Sequence, residues 1–158
     1  MNKKISGGLV LFNLNKGKEP TFLIAHPGGP FFKNRDDGWW SIPKGEPEAN
    51  ESIFEAAKRE FEEETGMKPY GPYINLGDIV QKNGKKVFAW GFEGKWPTDK
   101  IPVCNHITLE YPKGTGKTWT FPEIDKAIMM NLSETKKKLR AEQFPLILRL
   151  FETLGLKE

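Results

Sequence analysis

The chain is poor in the residues that carry redox and soft-metal chemistry. Its 158 residues include one cysteine, Cys104, and two histidines, His26 and His106. A lone cysteine excludes an internal disulfide and fits a reducing cytoplasm. Cys104 also lacks an activating setting. Neither histidine has a partner at ligand or triad spacing, so each reads as structural or exposed. Long apolar runs are missing as well, and none reaches the roughly 18 residues that a membrane-spanning helix needs. The opening MNKKISGGLVLF places lysines before an apolar stretch. That stretch is short, alternates into Asn13 and Asn15 and has no small-residue cleavage site, so it reads as a first strand and not as a signal peptide. One-sided charge is absent too. A net charge of +3 is too small to argue for a stable nucleic-acid partner, and Lys136 to Lys138 read as the solvated face of a helix. No repeat, linker or composition shift divides the sequence, which predicts one domain over residues 1–158.

What the sequence does contain is a series of short strand patterns around one strong helix. Ile5 to Leu14 and Thr21 to Ala25 are apolar runs separated by Asn15-Lys16-Gly17-Lys18, a hairpin turn. A Gly/Pro-rich loop follows from His26 to Gly38, then a brief extended piece, Trp39 to Ile42, stopped by Pro43. The spacing predicts a helix from Glu51 to Thr65, with Asn50 as its N-cap and Gly66 ending it. Its stripe of Ile53, Phe54, Ala57 and Phe61 suits packing on a sheet. Tyr73 to Gln81 and Lys85 to Phe92 flank Asn83-Gly84, a second hairpin signal. A loop runs from Glu93 to Pro102, strands are expected at Asn105 to Tyr111 and Ile124 to Met130, and Gly114 to Lys117 makes a turn. Ser133 caps a helix expected through Arg140, and Phe144 to Leu154 forms an amphipathic one. Strands with helices on both sides predict an α/β/α sandwich with a mixed central sheet.

The chemistry concentrates in Gly45 to Met67, GEPEANESIFEAAKREFEEETGM. Helical neighbours lie three and four positions apart, so Glu60, Glu63 and Glu64 are expected to form one tight carboxylate cluster. Oxygen donors without cysteine or histidine suit a hard divalent cation such as magnesium. Metal-assisted attack on a phosphate is the chemistry this predicts. Gly116-Lys117-Thr118 imitates the end of a phosphate-binding P-loop, but Tyr111 stands where its first glycine belongs.

The same segment resembles the Nudix box of the Nudix hydrolases. Gly45, Glu51, Arg59, Glu60, Glu63, Glu64 and Gly66 occupy all its polar and glycine positions, and Phe61 and Met67 hold its apolar ones. Acidic helices are usually solvated faces, and the full spacing sets this one apart. The resemblance implies hydrolysis of a nucleoside diphosphate linked to another group, with Mg2+ or Mn2+ as cofactor. It maps the metal ligands onto Glu60, Glu63, Glu64 and the Gly45 carbonyl, and gives Glu60 the task of orienting or deprotonating water. Glu51 and Arg59 become the pair that braces the loop onto the helix. A further carboxylate is expected from a loop before a late strand. Glu123 is the choice, with Glu93 and Glu110 as lesser candidates.

Substrate choice rests on Trp40-Ser41-Ile42-Pro43-Lys44-Gly45, which resembles the entry to the box in Nudix hydrolases of the diadenosine tetraphosphate type. Lys44 is expected to reach a phosphate. Trp40 is expected to stack a base, as are Phe31, Phe32 and Trp39. The favoured partner is therefore a small nucleotide, a dinucleoside polyphosphate above others, with a nucleoside triphosphate or ADP-ribose as the alternative. A non-catalytic Nudix domain that senses nucleotides or binds a partner is the alternative of another class. Oligomeric state is left open.

Overall fold

The computed structural model describes residues 4–97 and 100–156. Residues 98 and 99 of the loop expected from Glu93 to Pro102, and both ends of the domain expected over residues 1–158, lie outside them. Strand β1 (Ile5–Asn13) sets the arrangement, because its apolar run is buried on both faces. Its side chains alternate in direction. Leu9 and Leu11 enter one core, while Val10 and Phe12 enter another on the opposite face of the sheet. β2 (Thr21–Pro27) repeats the pattern, with Leu23 on the first side and Phe22 and Ile24 on the second.

Each core is closed by helices. α1 (Ile53–Thr65) supplies Ala57 and Phe61 to the first. The second is covered by α2 (Leu132–Lys138), a 3-10 turn at Ala141–Gln143 and α3 (Phe144–Thr153), which contributes Leu146, Ile147, Leu150 and Phe151. The result is the expected α/β/α sandwich. Its sheet runs β4 (Ile74–Val80), β5 (Lys86–Glu93), β1, β2, β8 (Ile124–Met130), with β3 (Lys44–Gly45) paired to β1. The sheet is mixed, because β1 lies parallel to β5 and antiparallel to β2 and β3. Among the described residues, no helix is long and apolar enough to cross a membrane.

One irregularity of this sheet creates the site. β1 and β2 share register only at Phe12–Phe22 and Asn13–Thr21 and then diverge. The chain from Ser41 to Gly45 fills the resulting wedge. Ala25 N–H donates to the Ser41 carbonyl at 2.9 Å, Leu9 N–H donates to the Pro43 carbonyl at 3.2 Å, and Gly7 pairs with Gly45. A Cβ on Gly7 would lie 2.3 Å from the Ile53 carbonyl oxygen, so this glycine also lets α1 approach the sheet.

Several expected boundaries move. α1 begins at Ile53 with Ser52 as its N-cap, and Ser52 and Glu55 form a reciprocal capping box. Asn50, expected in that role, instead adopts a positive φ of 66° in the preceding turn. Asn131, not Ser133, caps α2, and the chain leaves the helix at Leu139 in extended conformation instead of continuing through Arg140. Residues Thr118–Pro122 form an unexpected strand, β7. It pairs antiparallel with β6 (His106–Glu110) in a separate two-stranded sheet.

Candidate active site

Arg59 organises the acidic helix. Its Nε and one terminal nitrogen donate to the two Glu51 oxygens at 2.8 and 3.0 Å, and the same terminal nitrogen donates to the Glu46 carbonyl at 3.1 Å. A bidentate fork of this kind fixes geometry as well as charge. Glu51 precedes the helix and also accepts from Glu48 N–H at 2.9 Å, so the pair ties loop to helix. The Arg59 guanidinium and this N–H hold the Glu51 carboxyl below its ordinary range. The second terminal nitrogen reaches Glu63 at 3.1 Å and Glu60 at 3.4 Å.

The three helix carboxylates consequently do not form the tight cluster that their spacing suggests. Glu63 leans outward between Arg59 and Asn105, whose amide donates to it at 3.4 Å. Among the described residues, no three acids, cysteines or histidines form a ready metal-binding group. The acids remain electrostatically coupled. Burial pushes the Glu60 carboxyl up to about 7, with Glu63 and Glu123 adding repulsion and Arg59 opposing it. Glu64 is 5% exposed and titrates well above the ordinary range, because burial and the charges of Glu123 and Glu60 outweigh help from Lys44 and its backbone N–H. Glu123 is raised by burial and by Glu63.

These features fit a divalent cation. The donors are all oxygens, and buried mutually repelling carboxylates gain most from a positive charge. The backbone at Gly45 is part of the same cradle, since a Cβ there would lie 2.1 Å from the Glu60 carboxyl.

Glu64 and Glu123 face a cleft of about 200 Å³ that also exposes Lys44, Phe32, Trp39 and Arg140. Glu123 is held where β7 gives way to β8. Its N–H donates to the Asn105 carbonyl, and its own carbonyl accepts from Gly28 N–H, each at 2.9 Å. Glu93 and Glu110 are not brought here. Glu93 lines a different cavity beside Tyr70, and Glu110 accepts from Gly116 N–H at the hairpin turn. Lys44 is partly buried, and that burial lowers its pKa while Glu64 opposes the shift.

Trp40 does not share the cleft. It is 5% exposed, and its indole N–H donates to Asp36 at 2.9 Å. With His26 and Asp125 it lines a larger cavity of about 530 Å³ that contains none of the acids of α1. Extended backbone alternates side chains, so the neighbouring Trp39 turns to the cleft instead. His26 has two partners, one from its own loop and one from β8. Its Nδ1 lies 2.8 Å from Asp125 and its Nε2 2.6 Å from the Arg35 carbonyl. His106 is exposed.

Two contributors carried no local signal. Arg140 stacks its guanidinium 5.4 Å from the Trp39 ring, and its N–H donates to the Trp40 carbonyl at 2.9 Å. Fully buried Gln143 accepts from Ile42 N–H at 3.0 Å and donates to Ser41 and Gln81. It thus pins the segment leading to Lys44 from a helix a hundred residues away.

The comparisons with known proteins agree with this architecture. A family model described as NUDIX domain matches residues 5–150. Nudix hydrolase 6 of Arabidopsis thaliana is 38% identical over 61 residues, covering 39% of this chain and 20% of that protein. The match therefore spans about a fifth of that relative's length. Among solved structures, a C. elegans Ap4A hydrolase binary complex superposes with a TM-score of 0.65 at 20% identity, covering 95% of this chain and 98% of that one. The NUDIX domain of Shewanella oneidensis NrtR complexed with ADP ribose gives 0.65 at 16% identity, over 95% and 87%. At such identities the structural likeness speaks for the fold alone, and the match across residues 5–150 carries the assignment. This chain belongs to the Nudix family.

Proposed function

We propose that this protein hydrolyses a nucleoside diphosphate linked to another group, with a dinucleoside polyphosphate as its preferred substrate and Mg2+ or Mn2+ as cofactor. The observation that carries this reading is the meeting of Glu64 and Glu123 beside Lys44 in one cleft, with Glu60 packed against Gly45 and repelled by Glu123, all three acids raised by burial and by neighbouring acids. The whole chain, residues 1–158, acts as a single Nudix domain in this reading. Glu60, Glu63, Glu64 and the Gly45 carbonyl would hold the cation. When bound, it supplies charge neutralisation at the diphosphate oxygens and a more acidic water.

The chain's own residues do the remaining work. Glu60 orients the attacking water and accepts its proton, a role suited to a carboxyl that titrates near neutrality. Phosphoryl transfer depends mostly on positioning and electrostatics. Lys44 and Arg140 therefore serve by holding phosphate oxygens at the cleft wall, while Glu51 and Arg59 keep the ligands in register. Phe32 and Trp39 offer rings to a base. Trp40, named with them from sequence, supports the wall from behind.

The fold shared with Ap4A hydrolase over nearly both full chains makes diadenosine tetraphosphate the first substrate to test. The fold shared with the NrtR domain complexed with ADP ribose makes ADP-ribose the second to test. A product assay over diadenosine polyphosphates, nucleoside triphosphates, ADP-ribose and capped RNA separates them. The highest kcat/KM is expected for diadenosine tetraphosphate. No product from any of these with magnesium or manganese would leave a nucleotide-sensing or partner-binding domain in place of an enzyme.

Gly45→Ala tests the cradle. The added methyl meets the flexible end of Glu60 and not backbone, so the fold should survive. Magnesium affinity is expected to fall about tenfold or more, the scale of disturbed ligand support. Calorimetric titration beside a thermal melt checks both parts, and unchanged affinity would remove Gly45 from the cradle.

A further inference from the structure

The loop before the cleft carries two adjacent phenylalanines that point to different places. Phe32 lines the cleft, with its ring centroid 6.0 Å from that of Trp39. Phe31 instead meets Tyr111 edge-on at 5.2 Å, and Tyr111 meets Trp119 at 5.7 Å. A second set of rings on the β6–β7 hairpin is therefore tied to the same loop that sends Phe32 into the cleft.

The hairpin is built with one ring-rich face. Register pairs Ile107 with Phe121 and Leu109 with Trp119, which puts these four on one side. Thr108 and Thr120, bonded through their hydroxyls at 2.7 Å, lie on the other. Phe121 is buried beneath the loop, where Gly29 has a φ of 97° and a Cβ would fall 2.4 Å from the ring. The outer rings are not covered in this way. Phe31 is 56% exposed and Trp119 44%. Lys113 and Lys117, both exposed, add positive charge at the turn beside them. Open aromatic faces next to cations suit a nucleobase and its phosphates. The hairpin also ends at Pro122, one residue before Glu123, so the platform is joined directly to the cleft.

We propose that Phe31, Tyr111 and Trp119 form the platform for the distal nucleobase of a dinucleoside polyphosphate, while Phe32 and Trp39 hold the proximal one. This rests on the dinucleoside reading and adds to it the residues that select two bases over one. A mononucleoside substrate would use the cleft and leave the hairpin untouched.

The test compares wild type, Trp119→Ala, Tyr111→Ala and Trp119→Phe on diadenosine tetraphosphate and on ATP, with magnesium. In both alanine variants, KM for diadenosine tetraphosphate is expected to rise about tenfold, within the range of one lost base stack. KM for ATP and both kcat values should stay within about twofold, and Trp119→Phe should recover most of the loss. Binding of a methylene-bridged, non-hydrolysable diadenosine tetraphosphate, measured by calorimetry, should weaken in parallel. Equal KM changes for both substrates, or none for either, overturn the platform. A shift in sedimentation with KM unmoved makes this face a contact between copies of the chain and overturns it too. Wild type that binds the analogue no more tightly than a mononucleotide has the same consequence. Tight binding of the analogue, weakened in the alanine variants, but without turnover of diadenosine tetraphosphate, supports the platform and sinks the hydrolase reading.

Discussion

Replacing Glu64 with glutamine is expected to lower turnover about a thousandfold, the scale of losing one preorganised group that stabilises developing charge. The fold should persist. Glutamine is nearly isosteric, and its carbonyl can still accept from the Lys44 backbone N–H that supports the native carboxylate. It also removes a carboxyl whose ionised form is opposed by burial and by the charges of Glu123 and Glu60. In metal-free buffer the melting temperature of the variant should therefore equal or exceed that of wild type. Glu62 is the control, because it is exposed on the same helix. Glu62→Gln should keep nearly full activity. Comparable losses in both variants would mean that the acidity of the helix at large matters, and not the acids at the cleft.

Magnesium affinity is expected to rise steeply between pH 6 and 8. The Glu60 carboxyl titrates at about 7 against an ordinary value of 4.5, and a carboxylate binds the cation only after losing its proton. The consequence for stability follows in sign. Between pH 4.5 and 7 the folded protein retains a proton that the unfolded chain has lost. Metal-free stability should then fall as pH rises through that window and level off above it. Glu64 and Glu123, also raised, add to the same trend. Saturating magnesium should flatten the profile. Thermal melts from pH 4 to 9, with and without the ion, read this directly. A metal-free stability that climbs across the window would contradict the electrostatic description of the cleft.

The residues that sequence revealed are those whose partners lie close along the chain. Arg59 finds Glu51 and Glu63 within two turns, and the alternating run of β1 announces a strand buried on both faces. The N-cap was not among them: Asn50, the expected cap, sits in a left-handed turn, and Ser52 caps the helix with Glu55 instead. Glu123, which lines the cleft, stands out in sequence because it directly precedes a strong strand. The cleft wall was not. Arg140 and Gln143 reach it from the far end of the chain, and no local pattern marks a long-range contact. Trp39 and Trp40 are neighbours of one type, so only the backbone's path through the wedge between β1 and β2 decides which faces the cleft. β7 carries a weak sequence signal because TWTFP is short and ends in proline, which demotes a strand pattern.

The central claim is that this cleft performs metal-dependent hydrolysis at a nucleotide diphosphate. Its most direct test is turnover of diadenosine tetraphosphate in oxygen-18 water by wild type and Glu64→Gln, each with magnesium and with a chelator. Products carrying one labelled phosphate oxygen are expected from wild type with magnesium, and only background levels from the other three samples. Label that appears at the same rate with chelator, or in the Glu64 variant, would contradict the claim.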